Sequence, residues 1–405
     1  MNQTKAAADM VIFGGGIAGL WVLNRLRQLG FSAILFEPVA LGGGQTNKAQ
    51  GIIHGGMKYA LQGVFTSEAN AMAAMPERWK ACLKGKGDID LSSVPVLSKK
   101  QYLWSQGKLT AKLTGFLAGV SLASKVKSLK KNQYPTVFQH PEFKGQVFAL
   151  DELVVDVPAL VRELVKANQD AIFQIEPLSG AGLHLDEQDK LLSVTVCMAG
   201  KSIEVSAQQF IFTAGVGNEV VLNQLRHQDM AMQRRPLHMV LVKLPFDYPL
   251  YAHCLGLGAR PRITITTHYL QDGSAVWYLG GLLAEEGVNR DSDAQVKAAQ
   301  QELASLFPWL DFSAVQFATF TIDRAEPRHE RGLKPETAHL EVVQNMMIAW
   351  PTKLALAPQL AQEVVSQIEA AKRVPQLFDV QALRAWPMPP LARPIWESAF
   401  CKKEA

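Results

Sequence analysis

The sequence predicts an α/β protein, a doubly wound parallel sheet joined to a second domain built on an antiparallel sheet, and three observations predict it. Residues 9–38, DMVIFGGGIAGLWVLNRLRQLGFSAILFEP, read as a buried strand, a glycine turn, an amphipathic helix and a second strand. Residues 226–319 hold the strand-like runs HMVLVKLPF, RITITTHYL and AVWYLGG, the last two joined by a hairpin signal at Gln271, Asp272 and Gly273. Finally, 405 residues with 48% hydrophobic content are enough to fill two cores.

In chain order, Met10 to Phe13 form the first strand and Gly14, Gly16 and Gly19 stand at the spacing G-x-G-x-x-G. The first glycine allows a tight turn, the second lets backbone approach a pyrophosphate, and the third lets helix and strand pack closely. The helix opening at Ile17 and Ala18 then presents its N–H groups to phosphate. Glu37 follows Gly19 by 18 residues, where an acid accepts hydrogen bonds from an adenosine ribose. A second glycine-rich stretch, LGGGQTNKAQGIIHGGMKYALQG, comes after the second strand. A nicotinamide enzyme would normally continue with plain alternating strands and helices, whereas a flavin needs further backbone along its ribityl chain and ring.

This stretch resembles its counterpart in the flavoenzyme superfamily of D-amino acid oxidase, and most of all glycerol-3-phosphate dehydrogenase and L-2-hydroxyglutarate dehydrogenase. Two later stretches resemble the same family: VVDVPALVRELVKANQDAIFQIEPLSG with FIFTAGVGNEVVLNQL, and NMMIAWPTKLALAPQLAQEVVSQIEAA. The resemblance implies a Rossmann-like FAD-binding domain assembled from about 1–85, 150–225 and 320–370. The remainder, 86–149 and 226–319, forms the substrate domain, and 371–405 a C-terminal arm rich in proline and tryptophan. It implies FAD contacts at Gly43, Gly44, Gln45, Thr46, Gln50, Gly51 and Ile52, at Thr213, Ala214 and Gly215, and at Pro351, Thr352, Lys353 and Leu354. Where many relatives have glycines in that last loop, this chain has Trp350, Pro351 and Thr352.

Flavin oxidation of a carbon bearing a hydroxyl or amine needs a place for the heteroatom proton and positive charge for an anionic substrate. His54, between Ile53 and Gly55, is the candidate base, because imidazole exchanges protons near neutrality; holding the loop by a hydrogen bond is the competing role. Lys353, before the closing helix, would offset negative charge arriving on the flavin, unless it is a surface lysine. Arg324 is chosen among Arg324, Arg328 and Arg331 to hold the substrate's acid group, against pairing with Asp323 or Glu326. His268, Tyr269 and Tyr251 read as packing. No metal-ligand cluster stands out.

Composition narrows the remainder. A net charge of +4 does not announce a nucleic-acid binder, and the scattered Cys82, Cys197, Cys254 and Cys401 fit neither a disulfide framework nor a zinc site. A reducing cytoplasm fits, and no run reaches the roughly 18 apolar residues of a membrane span. Eight lysines and no acid lie between Asp90 and Glu142. Segment 99–131 is thus a solvated face or a peripheral contact to the inner face of a membrane, with nucleic acid the least supported partner. The expected activity is FAD-dependent hydride removal from a small 2-hydroxy acid, glycerol phosphate or amino acid, with quinone or oxygen as electron acceptor. An RNA-modifying flavoenzyme and a non-enzymatic flavin-bound protein are the alternatives.

Overall fold

A computed structural model describes residues 4–55, 67–105, 126–225, 231–255, 260–328, 337–376 and 379–401. The apolar run Met10 to Phe13 is buried on both faces, as a central parallel strand must be. Strand Thr4–Phe13 lies between Lys201–Phe212 and Ala33–Glu37, parallel to both, and Ile172–Gln174 adds outside Ala33–Glu37. It starts six residues earlier than the hydrophobic pattern indicates, since Thr4 to Ala8 pair in register with Ile203 to Ala207. The far end of Lys201–Phe212 pairs in parallel with Met346–Trp350, and its near end is antiparallel to Leu191–Met198. Helices Ile17–Gln28, Val157–Lys166 and Ala357–Ala370 bury their apolar faces in the same core. Three segments more than a hundred residues apart thus share one hydrophobic core.

The second sheet runs in the order Gln316–Pro327, Met232–Lys243, Ala275–Gly280, Pro261–Tyr269, Ala252–Leu255, Gln101–Ser105, Gln146–Leu150, Val126–Ser128. It is antiparallel except where Ala252–Cys254 meets Tyr102–Trp104. The hairpin at Gln271 to Gly273 joins its two central strands, and helix Ser292–Leu306 contributes Ala299 and Leu303 to its core. Residues 320–327, assigned from the sequence to the nucleotide-binding domain, belong here instead. Their strand pairs with Met232–Lys243 over twelve consecutive residues. Conversely, Ile89, Leu91 and Val94 pack in the parallel-sheet core.

A short third sheet positions the site. Ile52–Ile53 is antiparallel to Leu153–Val155, with Ile52 opposite Val154 and Ile53 opposite Leu153. The next step of that register sets His54 opposite Glu152.

The C-terminal arm is an extended strap. Asp379 O accepts from Ala7 N, Pro387 O from Gln174 N, Pro390 O from Leu41 N and Arg393 O from Asn47 Nδ2. Helix Ile395–Phe400 then docks on the antiparallel sheet through Trp396. Of the lysine-rich stretch, Lys108, Lys112 and Lys125 lie outside the described residues, as does Arg331. Among the described residues no helix is long and apolar enough to cross a membrane.

Candidate active site

A cavity of about 880 Å³ opens between the C-terminal ends of the parallel strands and the antiparallel sheet, near the top of the range of roughly 300–1,000 Å³ for ligand pockets. Every residue singled out from the sequence for cofactor or catalysis lines it, except Gly19. Gly19 has the role expected of the third glycine: a Cβ there would fall 2.0 Å from Gly14 O, so helix and turn touch. Gly14, at φ +106°, lies so close to the Thr213–Ala214 backbone that a Cβ would sit 2.7 Å from it.

Several of these side chains build the cradle. Gly16 has no side chain to cap helix Ile17–Gln28, and Thr46 Oγ1 accepts the Ile17 N–H at 2.9 Å in its place. Glu37 accepts from Gly15 N at 2.7 Å and from Val39 N at 2.9 Å, so it fixes the glycine turn while its carboxylate borders the cavity. Thr213 Oγ1 donates to Phe13 O, and Asn218 joins Ala214 N to Ala349 O, tying the second and third segments together. Gln50 donates to Tyr278 O at 2.8 Å, which stitches the loop to the antiparallel sheet. Pro351, Thr352, Lys353 and Leu354 follow strand Met346–Trp350. Thr352 stands at φ +55° with Lys353 N donating to Pro351 O, a tight γ-turn, and donates from Oγ1 to Thr337 O.

These surroundings fit FAD. Glycine backbone faces open space at Gly44, where a Cβ would meet nothing within 4 Å, and at Gly16, where it would meet only Thr46 Oγ1. An uncapped glycine with no acid in the following helical turn suits a diphosphate. A carboxylate at Glu37 suits a ribose.

At the other end of the cavity, His54 Nδ1 lies 3.5 Å from Glu152 Oε2, with His54 about 41% exposed and Glu152 buried. Glu152 Oε1 accepts the Gly55 N–H at 2.7 Å. His253, from the antiparallel sheet, stacks on His54 at 6.0 Å, and its Nδ1 lies 2.8 Å from Thr264 Oγ1. Burial alone would push the Glu152 carboxyl up, but the hydrogen bond and charge of His54, then the charge of His253 and the Gly55 N–H, hold it below the usual carboxylate range. The donor atoms of His54, Glu152 and His253 all lie within 4.8 Å of one another, a grouping of possible ligands that linear spacing did not reveal.

Arg324 is half-buried and lines the cavity, its Nε donating to Arg235 O at 3.1 Å. The acids nearest in sequence are otherwise engaged: Glu326 forms a two-point pair with Arg235, and Asp323 faces Arg234. No ion pair among the described residues includes Arg324. His268, Tyr269 and Tyr251 stand away from the cavity lining: His268 stacks on Trp396, Tyr269 donates to Asp247, and Tyr251 packs with Ile52 and Val154. Glu152, His253 and Asn218 escaped the sequence reading. The one available cue was Glu152, an acid set between the apolar runs VFAL and LVV.

A molecule whose two large sheets enclose a glycine-lined dinucleotide cradle, leading to a buried acid beside a partly exposed histidine, is built as a flavin-dependent oxidoreductase. Residues 9–331 match the FAD dependent oxidoreductase (DAO) family, and the chain belongs to that family. It is 46% identical to the Probable FAD-dependent oxidoreductase PA4991 of Pseudomonas aeruginosa over 97% of this chain and 98% of that protein. The crystal structure of PA4991 superposes with a TM-score of 0.83, covering 98% of this chain and 99% of the other. It is 25% identical to the alpha-glycerophosphate oxidase of Streptococcus pneumoniae over 62% of this chain and 43% of that one. Glycine oxidase of Geobacillus kaustophilus shares the fold at 16% identity and a TM-score of 0.61, over 96% of this chain and 99% of that one.

Proposed function

We propose that the chain oxidises a small anionic substrate at a carbon bearing a hydroxyl group, the class that includes 2-hydroxy acids and glycerol phosphate. The observation that carries this reading is Arg324, a guanidinium bordering the same cavity as His54 with no carboxylate paired to it among the described residues. FAD held in the cavity supplies the acceptor for the hydride that leaves the substrate carbon. Arg324 offers a planar fork to a carboxylate or phosphate and so orients the substrate. His54 takes the hydroxyl proton on a ring nitrogen while the C–H bond breaks, since an alcohol gives up hydride poorly until that proton departs. Lys353 borders the cavity just before helix Ala357–Ala370, where an ammonium and the positive end of the helix favour incoming negative charge. The 25% identity to a protein named alpha-glycerophosphate oxidase supports a hydroxylated anion.

The test is anaerobic mixing of the yellow holoprotein with glycerol 3-phosphate, L-lactate, glycine and uncharged glycerol, following loss of flavin absorbance. A hydroxylated anion is expected to bleach the flavin, and R324A to raise its half-saturating concentration roughly ten- to a hundredfold, the scale of a lost charged hydrogen bond. Bleaching by glycine alone would assign amine oxidation instead. Equal rates with glycerol and glycerol 3-phosphate would remove the anionic requirement.

A further inference from the structure

We propose that Glu152 is a positioning residue for this reaction, holding His54 with Nδ1 turned toward its carboxylate so that Nε2 receives the substrate's proton. The proposal rests on the reading of His54 as the base. The antiparallel register carried on from Ile52 and Ile53 brings Glu152 opposite His54, from 98 residues further along the chain. One carboxylate oxygen faces the ring at 3.5 Å and the other receives the Gly55 N–H at 2.7 Å. A buried carboxylate costs several kcal/mol unless hydrogen-bonded and charge-compensated. Among the described residues, Gly55 N–H and the imidazole are the partners this one has.

The ring is held from its other face as well. His253 stacks on it with an interplanar angle of 21°, and the Thr264 hydroxyl, 2.8 Å from His253 Nδ1, fixes that second ring. With Nδ1 directed at Glu152, the proton from the substrate's O–H goes to Nε2. Its O–H electron pair forms the new carbonyl as the hydride leaves carbon. Glu152 remains ionised throughout and stabilises the imidazolium, the relation an acid has to a catalytic histidine elsewhere. Among the described residues, the titratable groups facing His54 from packed elements are Glu152, ahead of strand Leu153–Val155, and His253 on strand Ala252–Leu255. A depressed Glu152 carboxyl is consistent with a carboxylate that stays charged beside the ring.

A simpler role is open to Glu152: pinning the loop through Gly55 N. Glutamine separates the two, because its amide oxygen still accepts from Gly55 N while the charge is gone. The experiment uses FAD-loaded wild type and E152Q labelled with 15N-histidine, with H54Q to assign the resonance and E152D as the conservative variant. Wild type is expected to hold His54 as the Nδ1–H tautomer. E152Q, with unaltered flavin spectrum and melting temperature, is expected to move His54 toward the Nε2–H tautomer, because with its oxygen kept on Gly55 N the glutamine turns an amide donor toward Nδ1. Turnover of the bleaching substrate should fall at least about tenfold with KM little changed, and E152D should recover part of it. An identical tautomer in wild type and E152Q overturns the positioning role whatever the turnover. A changed tautomer with unchanged turnover overturns His54 as the base, the reading beneath the proposal.

Discussion

Thr46 shows how one side chain can serve fold and cofactor together. Phosphate recognition requires glycine at position 16, so the helix that follows begins without a side-chain cap, and a threonine 30 residues later supplies the missing oxygen. Thr46→Val keeps the shape and removes that acceptor. Stability should fall by about 1 kcal/mol, the usual worth of an N-cap, read as a lower urea midpoint at constant m-value. FAD should also dissociate more readily, because the glycine turn and the helix end would no longer be held together. An unchanged midpoint would mean that the Ile17 N–H finds another acceptor. The glycine spacing and Glu37 were readable because local geometry demands those residue types. Glu152 and His253 were not, because their role exists only once His54, 98 and 199 residues before them, has been brought alongside. Thr352 is a further limit of sequence reading. A β-branched residue at φ +55° is strained, and nothing in the linear pattern WPTK announces it.

Among the elements, those whose periodicity is local were legible in the residue pattern. Helix Ile17–Gln28 and the hairpin around Asp272 fall where the pattern placed them. Strand Gln316–Pro327 was divided at residue 320 between the two domains because an alternating strand does not state its partner; only pairing with Met232–Lys243 decides that. The docking of the terminal helix is a tertiary event of the same kind. Trp396 lies flat on His268, with ring centroids 4.0 Å apart, and burial drives the His268 pKa down to about 3. The folded-state pKa is thus below the unfolded one. The stability gained by keeping this ring neutral is full above about pH 6.5 and is lost as pH falls toward 3, because only the unfolded chain binds the proton. The slope is at most about 1.4 kcal/mol per pH unit. Comparing urea midpoints at pH 7 and pH 5, wild type should lose about 2 kcal/mol more than His268→Gln. Equal losses would show that His268 is protonated in the folded protein or that the strap has already lifted.

On the scale of the whole molecule, the cavity exists because three stretches of chain share one parallel sheet and a second sheet closes over them. Residues 14–18, 43–52, 213–215 and 351–354 meet there, stitched by Thr213, Asn218 and Gln50. The C-terminal strap runs behind Leu41 and Asn47 and anchors on the opposite sheet, so it braces the loop that forms one wall. Most of the cofactor wall was legible in the sequence, since backbone that approaches a nucleotide needs glycine at fixed spacings. The substrate end was legible only as isolated candidates, His54, Lys353 and Arg324, because side chains that meet across sheets leave no spacing to read. The most direct measurement of this architecture is amide hydrogen exchange on the flavin-free and FAD-reconstituted protein. Slowed exchange is predicted in all the cavity-lining segments at once, around Ile17, Thr46, Gly51, Ala214 and Lys353. Protection confined to the first glycine turn, with no change near Ala214 and Lys353, would contradict a flavin held jointly by distant parts of the chain.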